Sequence, residues 1–313
     1  MARSSRFAFG EPVTVSLLPD WIRQIEPQSP EDACFFAGAA LSAVHPVARS
    51  NHPLGRLWRQ RLALRATVRL ITAGGCTEDE AALRDACYLR RLEDDPGPAS
   101  RVLLAWRSLT EPAKINLPDT AAHLADLLEV RASDELTSIL ATATAPGQGT
   151  WSAISAATAI IAVSLASNSG DRNLALWLAD IVLAHSLNWP APVPLLALCI
   201  RFADLKDAPH EPRALLTAIS SAYARAAANA IDLHCELASR ARKLLAVARK
   251  LRSRHVPTTI NLLLREDALP ADLPIDEGKT GNSLAIQQLF DRLVELGAVR
   301  ELTGRTTHQL YGL

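Results

Sequence analysis

Apolar residues recur along this chain three or four positions apart, and alternating β-branched stretches are absent until the last fifteen residues. Leu57, Leu62, Leu64, Val68 and Ile71 make one stripe, with Arg59, Arg61, Arg65 and Arg69 placed around it. Prolines and glycines at 27–30, 52–55, 74–75, 94–98, 146–149, 168–170, 190–194 and 209–212 cut the chain into pieces of helical length. Ala, Leu and Arg dominate these pieces and lose little side-chain entropy in a helix. Thr77 followed by Glu80 fits a capping box, with Glu78 and Asp79 in a first turn that favours acids. The pattern predicts a mainly α protein.

The pattern changes toward the end. From 239 to 255 the chain carries Arg240, Arg242, Lys243, Arg249, Lys250, Arg252 and Arg254 and no acid. Read as one helix, it places Leu237, Leu244, Val247 and Leu251 on one face and cations over the rest. A short helix over 258–267 follows, with Ile260, Leu263 and Leu264 on its apolar side. After a loop holding Pro270, Pro274, Gly278 and Gly281, a helix capped by Asn282 or Ser283 runs to Leu296. Its apolar set reads as Leu284, Leu289, Leu293, Val294 and Leu296, and Gly297 is its left-handed terminator. A strand over 299–302, a turn at 303–305 and a returning strand over 306–311 close the chain. Helix, glycine stop and a hairpin with a basic tip is the order of a winged helix. The second helix of such a fold is short or missing, because Pro274 and two glycines occupy its place. The expected layout is an N-terminal extension at 1–30, a large α-helical domain at 31–235, and a small winged-helix-like domain with a β-hairpin at 236–313.

At 313 residues the chain has room for about two folding units and a core that needs no staples. Its 33 basic and 33 acidic residues cancel, which excludes a globally basic nucleic-acid coat or an acidic tail. With seven cations concentrated at 239–255, the remainder carries a net −7. Cys34, Cys76, Cys87, Cys199 and Cys235 form no Cys-x-x-Cys pair and read as buried small hydrophobes in a reducing cytosol. The first eighteen residues lack a signal-peptide core, and the most apolar runs, 151–166 and 174–200, read as buried core helices. A cytoplasmic protein without membrane contact is expected.

Local catalytic and cofactor signatures are missing. The eight histidines make no metal-ligating spacing, and no Gly-x-Ser-x-Gly or Gly-x-Gly-x-x-Gly occurs. Gly278-Lys279-Thr280 resembles the end of a phosphate loop, but the first glycine such a loop needs falls on Leu273. No metal, cofactor or small-molecule substrate is indicated, and a non-enzymatic role is expected. A weak internal correspondence pairs 58–107 with 151–201, aligning Trp58 with Trp151 and Asp85 with Asp180. Duplicated helical hairpins are one reading, and chance alignment of Ala/Leu-rich helices is the other. On either, Asp85 and Asp180 read as helix-surface or packing-edge acids before they read as a catalytic pair.

The stretch LFDRLVELGAVRELTGRTTHQLYGL is similar to the winged-helix tail that follows the catalytic domain in many Fic-type proteins. The Fic enzyme is not implied. Only His52-Pro53-Leu54-Gly55-Arg56 stands where that family has His-Pro-Phe and a glycine-rich anion cradle. More extensively, FFAGAAL, WRQRLALRA, TEDEAALRDA, DDPGPASR, ALWLADIVLA and WPAPVPLLA resemble the uncharacterised bacterial domain-of-unknown-function family 1403. That resemblance implies a shared architecture and brings no activity, ligand or catalytic residue.

The expected function is that of a regulator or accessory factor associated with double-stranded DNA. Arg240, Lys243, Arg249 and Lys250 would meet phosphates, Gln287, Gln288 and Arg292 would enter a groove, and Arg305 and His308 would form the wing. Two acids on the groove helix, Asp291 and Glu295, weaken its field. The alternative is an interaction or scaffold module whose winged helix docks a protein partner. An enzyme or binder with a cleft near Asp85 and Asp180 is the third reading.

Overall fold

Alanines let two of the longest helices meet closely. The computed structural model describes residues 10–24, 26–89, 95–108, 110, 152–166, 172–205, 211–271, 283–303 and 309–313. A short helix α1 (Asp20–Arg23) leads into α2 (Pro30–Ala48). Ser29 caps α2 by accepting from the Asp32 amide at 3.1 Å, with Pro30 pre-set for the first turn. Buried Ala33, Ala37, Ala40, Leu41, Val44 and Val47 lie on one side of α2. That side packs along α9 (Pro212–Ala248), a 37-residue helix whose buried residues include Ala222, Ala226, Ala227 and Ala230. At that length α9 is roughly 55 Å long.

Between these lie α3 (Leu54–Ala73), α4 (Glu80–Tyr88), α5 (Gly97–Ser108), α6 (Ala153–Ala166), α7 (Arg172–Ser186) and the short α8 (Leu196–Cys199). Every residue of α7 from Leu174 to Ala184 is buried, as an all-round apolar helix requires. No described helix is long and apolar enough to cross a membrane. The stretches 58–107 and 151–201 build different local arrangements. α3 packs on α5 with α4 beside both, whereas α6 and α7 form a hairpin. Trp106 and Trp177 meet edge-to-face at 5.3 Å, while Trp151 and 167–171 lie outside the described residues.

After α9 come α10 (Val256–Leu263), β1 (Leu269–Pro270), α11 (Ser283–Glu295), β2 (Arg300–Glu301) and β3 (Leu310–Gly312). The sheet is antiparallel in the order β1-β3-β2, with Leu269 opposite Tyr311 and Glu301 opposite Tyr311 on the other edge. Gly297 ends α11 at φ +60. Ile286, Leu289, Phe290 and Leu293 bury the helix, and Phe290 stacks on Tyr311 at 4.5 Å. The chain is thus mainly α, with eleven α-helices among the described residues and one small sheet near the end.

Several local expectations are corrected. Asp79, not Thr77, caps α4, accepting from the Ala82 amide at 2.8 Å, while Glu80 turns to Arg84 at 3.1 Å. The cations of 239–255 do not share one helix. α9 stops at Ala248, so Arg249, Lys250, Arg252 and Arg254 follow its end. Leu284 and Val294 face outward at 68% and 38% exposure, because the stripe that packs runs through Ile286, Leu289/Phe290 and Leu293. Among the described residues none of the five cysteines is in a disulfide, and none is fully buried, Cys76 being exposed. The 235/236 boundary falls inside α9, and buried apolar residues from Leu18 to Leu313 belong to one cluster among the described residues.

Candidate nucleic-acid interface

The basic surface starts on the last turns of α9. Leu237, Ala241, Leu244 and Leu245 are buried, which turns Arg242 and Lys243 to solvent. Arg240 is half-buried and pairs with Glu236 at 2.6 Å one turn earlier. Beyond the helix end, Arg249, Lys250, Arg252 and Arg254 are exposed. Arg249 lies 3.9 Å from the exposed Glu11, a separation that contributes little in water. No acid occurs from 237 to 265.

Lys243 connects this surface to the segment that follows. Its ammonium lies 2.9 Å from where a Cβ would project at Gly297, so it sits against the C-terminal end of α11. Arg240 acts electrostatically on Arg300 at the start of β2. Of the residues assigned to a groove, Gln287, Gln288 and Arg292 are all exposed on the outer side of α11. Arg292, however, is engaged by Glu295, and Asp291 lies beside it on the same exposed side. The outer face of α11 therefore carries a net −1, from Asp291 and Glu295 against Arg292. Arg305 and His308 lie outside the described residues.

A different charged centre was not foreseen. Asp267, just after α10, is fully buried and receives three guanidiniums from three helices. Arg61 of α3 contacts it directly, Arg84 of α4 donates from Nε at 2.8 Å, and Arg107 of α5 reaches it at 3.4 Å. Burial alone pushes the carboxyl up, but the three cations together hold it below its ordinary value. Gln60 accepts from the Asp267 amide at 2.8 Å, and Arg61 also donates to the main-chain oxygens of Asp267 and Leu313 at 3.2 and 3.0 Å. Beside it, Glu266 pairs with Arg56 at 2.9 Å and accepts from Gln60 at 3.1 Å. Arg107 stacks over the Tyr88 ring at 4.5 Å. Nothing local in the sequence marks this centre, since its partners are far apart along the chain. The signal available was the crowding of arginines on α3, two of which, Arg59 and Arg61, turn inward. Arg59, for example, is 3% exposed and donates to the Ala48 oxygen at 2.6 Å.

Asp180 is too deeply buried to line an open cleft with Asp85. Asp180 is 1% exposed inside the helical packing. Its carboxyl accepts from the Leu195 amide at 2.9 Å and the Leu196 amide at 3.3 Å, holding the start of α8. Burial pushes its pKa up to about 8, and the two amides and the Tyr223 hydroxyl oppose that only in part. Asp85 sits half-buried on α4. Among the described residues no cluster of three His, Cys, Asp or Glu could hold a metal ion.

A family model described as "Protein of unknown function (DUF1403)" matches residues 8–313. No curated protein matches the chain.

Proposed function

The chain belongs to the DUF1403 family, and on that footing we propose that it is a DNA-associated regulator or accessory factor that meets duplex DNA through its C-terminal quarter. One observation carries the reading: six exposed cations, from Arg242 to Arg254, lie on and just beyond the end of α9, in a stretch of sequence that holds no acid. The element order α10–β1–α11–β2–β3 and the strand order β1-β3-β2 also agree with a winged helix, which supports the choice of DNA. Because Arg292 is engaged by Glu295, the contact is mainly to phosphates and only weakly to bases. Four phosphate contacts would lower affinity about a hundredfold between 50 and 200 mM salt. A fluorescence-anisotropy titration of the full chain on duplex DNA across that range tests this. Arg249→Glu with Lys250→Glu should weaken binding to every duplex sequence and flatten the salt slope by about two. No binding even at the lowest salt ends the proposal.

A second reading, docking of a protein partner, is favoured by the outer face of α11, where Leu284 and Val294 are exposed beside polar groups with a net charge of −1. A second apolar patch, with Leu17, Trp21 and Phe35 each more than half exposed and Trp21 stacked on Phe35 at 5.9 Å, suits the same role. Co-purification with a partner that survives the Arg249 and Lys250 reversals would favour this reading.

A further inference from the structure

A cleft of about 400 Å³ opens between α3, α4 and α9 on one side and β2 on the other. Four of the side chains that line it are arginines from three elements: Arg61 and Arg65 of α3, Arg84 of α4 and Arg300 of β2. Their environments differ. Arg61 and Arg84 are buried and fixed by Asp267, so they form a rigid cationic floor. Arg65 is 42% exposed and comes no nearer to Glu80 than 3.8 Å, and Arg300 is exposed with no ion pair among the described residues.

Three carboxylates, Glu80, Glu236 and Glu301, share the lining with the four arginines, and two of them already have partners, Glu80 inside the cleft and Glu236 outside it. Glu80 turns to Arg84 at 3.1 Å, and Glu236 to Arg240 at 2.6 Å. Partial burial and then the nearby Arg240, Arg61 and Arg84 lower the Arg300 guanidinium from its ordinary value, with Glu236 offsetting them only in part. A cation crowded by three others, at the open end of a concave site, is an arrangement that an anion relieves.

We propose that this cleft binds a small oxyanion ligand, a phosphorylated or carboxylate metabolite, seated between Arg65 and Arg300 above the Arg61–Arg84 floor. The planar guanidinium presents paired donors that match either oxyanion. Glu301 also lines the cleft and has no ion pair among the described residues, so a hydroxyl or ammonium group on the ligand finds an acceptor there. The site uses none of the cations from Arg242 to Arg254 and stands whether or not the protein binds DNA. Its occupant would bridge α3 and β2, two elements from opposite ends of the chain.

The test is thermal-shift and calorimetric titration of the full chain with inorganic phosphate and, separately, with citrate, at an ionic strength held constant with sodium chloride. The expected result is a saturable rise in Tm and saturable binding for at least one probe. Arg65→Gln and Arg300→Gln should each weaken that binding about tenfold or more, while Lys250→Gln, outside the cleft, leaves it intact. Because both substituted side chains face solvent, the fold should persist, which unchanged Tm in chloride and unchanged far-ultraviolet dichroism would verify. A response to phosphate alone assigns a phosphorylated ligand, and a response to citrate alone a carboxylate one. No saturable response to either probe, or a response that survives both arginine substitutions, overturns the proposal.

Discussion

Two aspartates, Asp180 and Asp267, are both removed from water, yet the protein treats them in opposite ways. Around Asp180 lie helix backbone, apolar side chains and one phenol, with two amides as donors, and burial drives the carboxyl toward its neutral form. Around Asp267 stand Arg61, Arg84 and Arg107, and the carboxyl stays charged despite equal burial. The difference teaches that depth alone does not set ionisation here; the count of nearby cations does. It also separates two kinds of construction. The α6–α7–α8 region is assembled by apolar packing that tolerates one neutral acid. The junction of α3, α4 and α5 with the segment after α10 is assembled by charge.

Breaking the charged side should cost most. Asp267→Asn leaves the two buried guanidiniums of Arg61 and Arg84 and the partly buried one of Arg107 without this anion, and urea unfolding should show a loss of about 3–5 kcal/mol. A loss under 1 kcal/mol would mean that Glu80, Glu266 and main-chain oxygens suffice to satisfy the arginines.

The pH dependence of the two sites has opposite signs. Asp267 has a lower pKa folded than unfolded, so its contribution is present at neutral pH and fades as pH falls through the folded value, below the ordinary 3.8. Asp180 has a higher pKa folded. The native state therefore holds a proton that the unfolded chain releases, and stability is lost as pH rises from about 3.8 to about 8. Asp180→Asn mimics the neutral carboxyl, keeps an acceptor for the Leu195 amide and removes that loss. Unfolding midpoints from pH 5 to 8.5 should show the variant gaining on the natural protein as pH rises, by on the order of a few kcal/mol at the top of the range. Parallel pH profiles would show that Asp180 is ionised in the native state.

Smaller effects sharpen the contrast. Trp58→Phe removes the indole donor to the Ala230 oxygen at 2.8 Å, a contact between α3 and α9, and should cost about 1 kcal/mol by the same assay. Arg249→Glu with Lys250→Glu changes charges that no packing depends on. Its effect on stability should stay within about 0.5 kcal/mol, which would separate cations kept for binding from those that hold the fold.

Much of the fold was legible in the sequence. The break at 27–30 falls at the start of α2, the apolar run from 174 reads as a buried core helix and holds α7, and Gly297 marked the end of α11. The exposed cations after Arg240 could also be read directly, because charge on a surface needs no partner. What could not be read was long-range. Arg61 looks like one more surface arginine on α3 until Asp267 arrives from the far end of the chain. Asp180 looks like a helix-surface acid until the amides of α8 fold back on it. β1 is two residues long and owes its existence to Leu310 and Tyr311 across the ladder, not to any pattern of its own. Periodicity reports which face a residue turns to; it says nothing of what waits there.

The unbroken run of α9 has a practical corollary. A fragment starting near residue 236 would begin mid-rod, shed the half of the helix that lies along α2, and leave Asp267 stripped of its arginine escorts. Genetic dissection of this protein by truncation should thus yield insoluble pieces, and its surfaces are better separated by point substitution. For the same reason, anything that grips the far tip of that rod is held at a fixed bearing to the rest of the molecule, with no swivel between them.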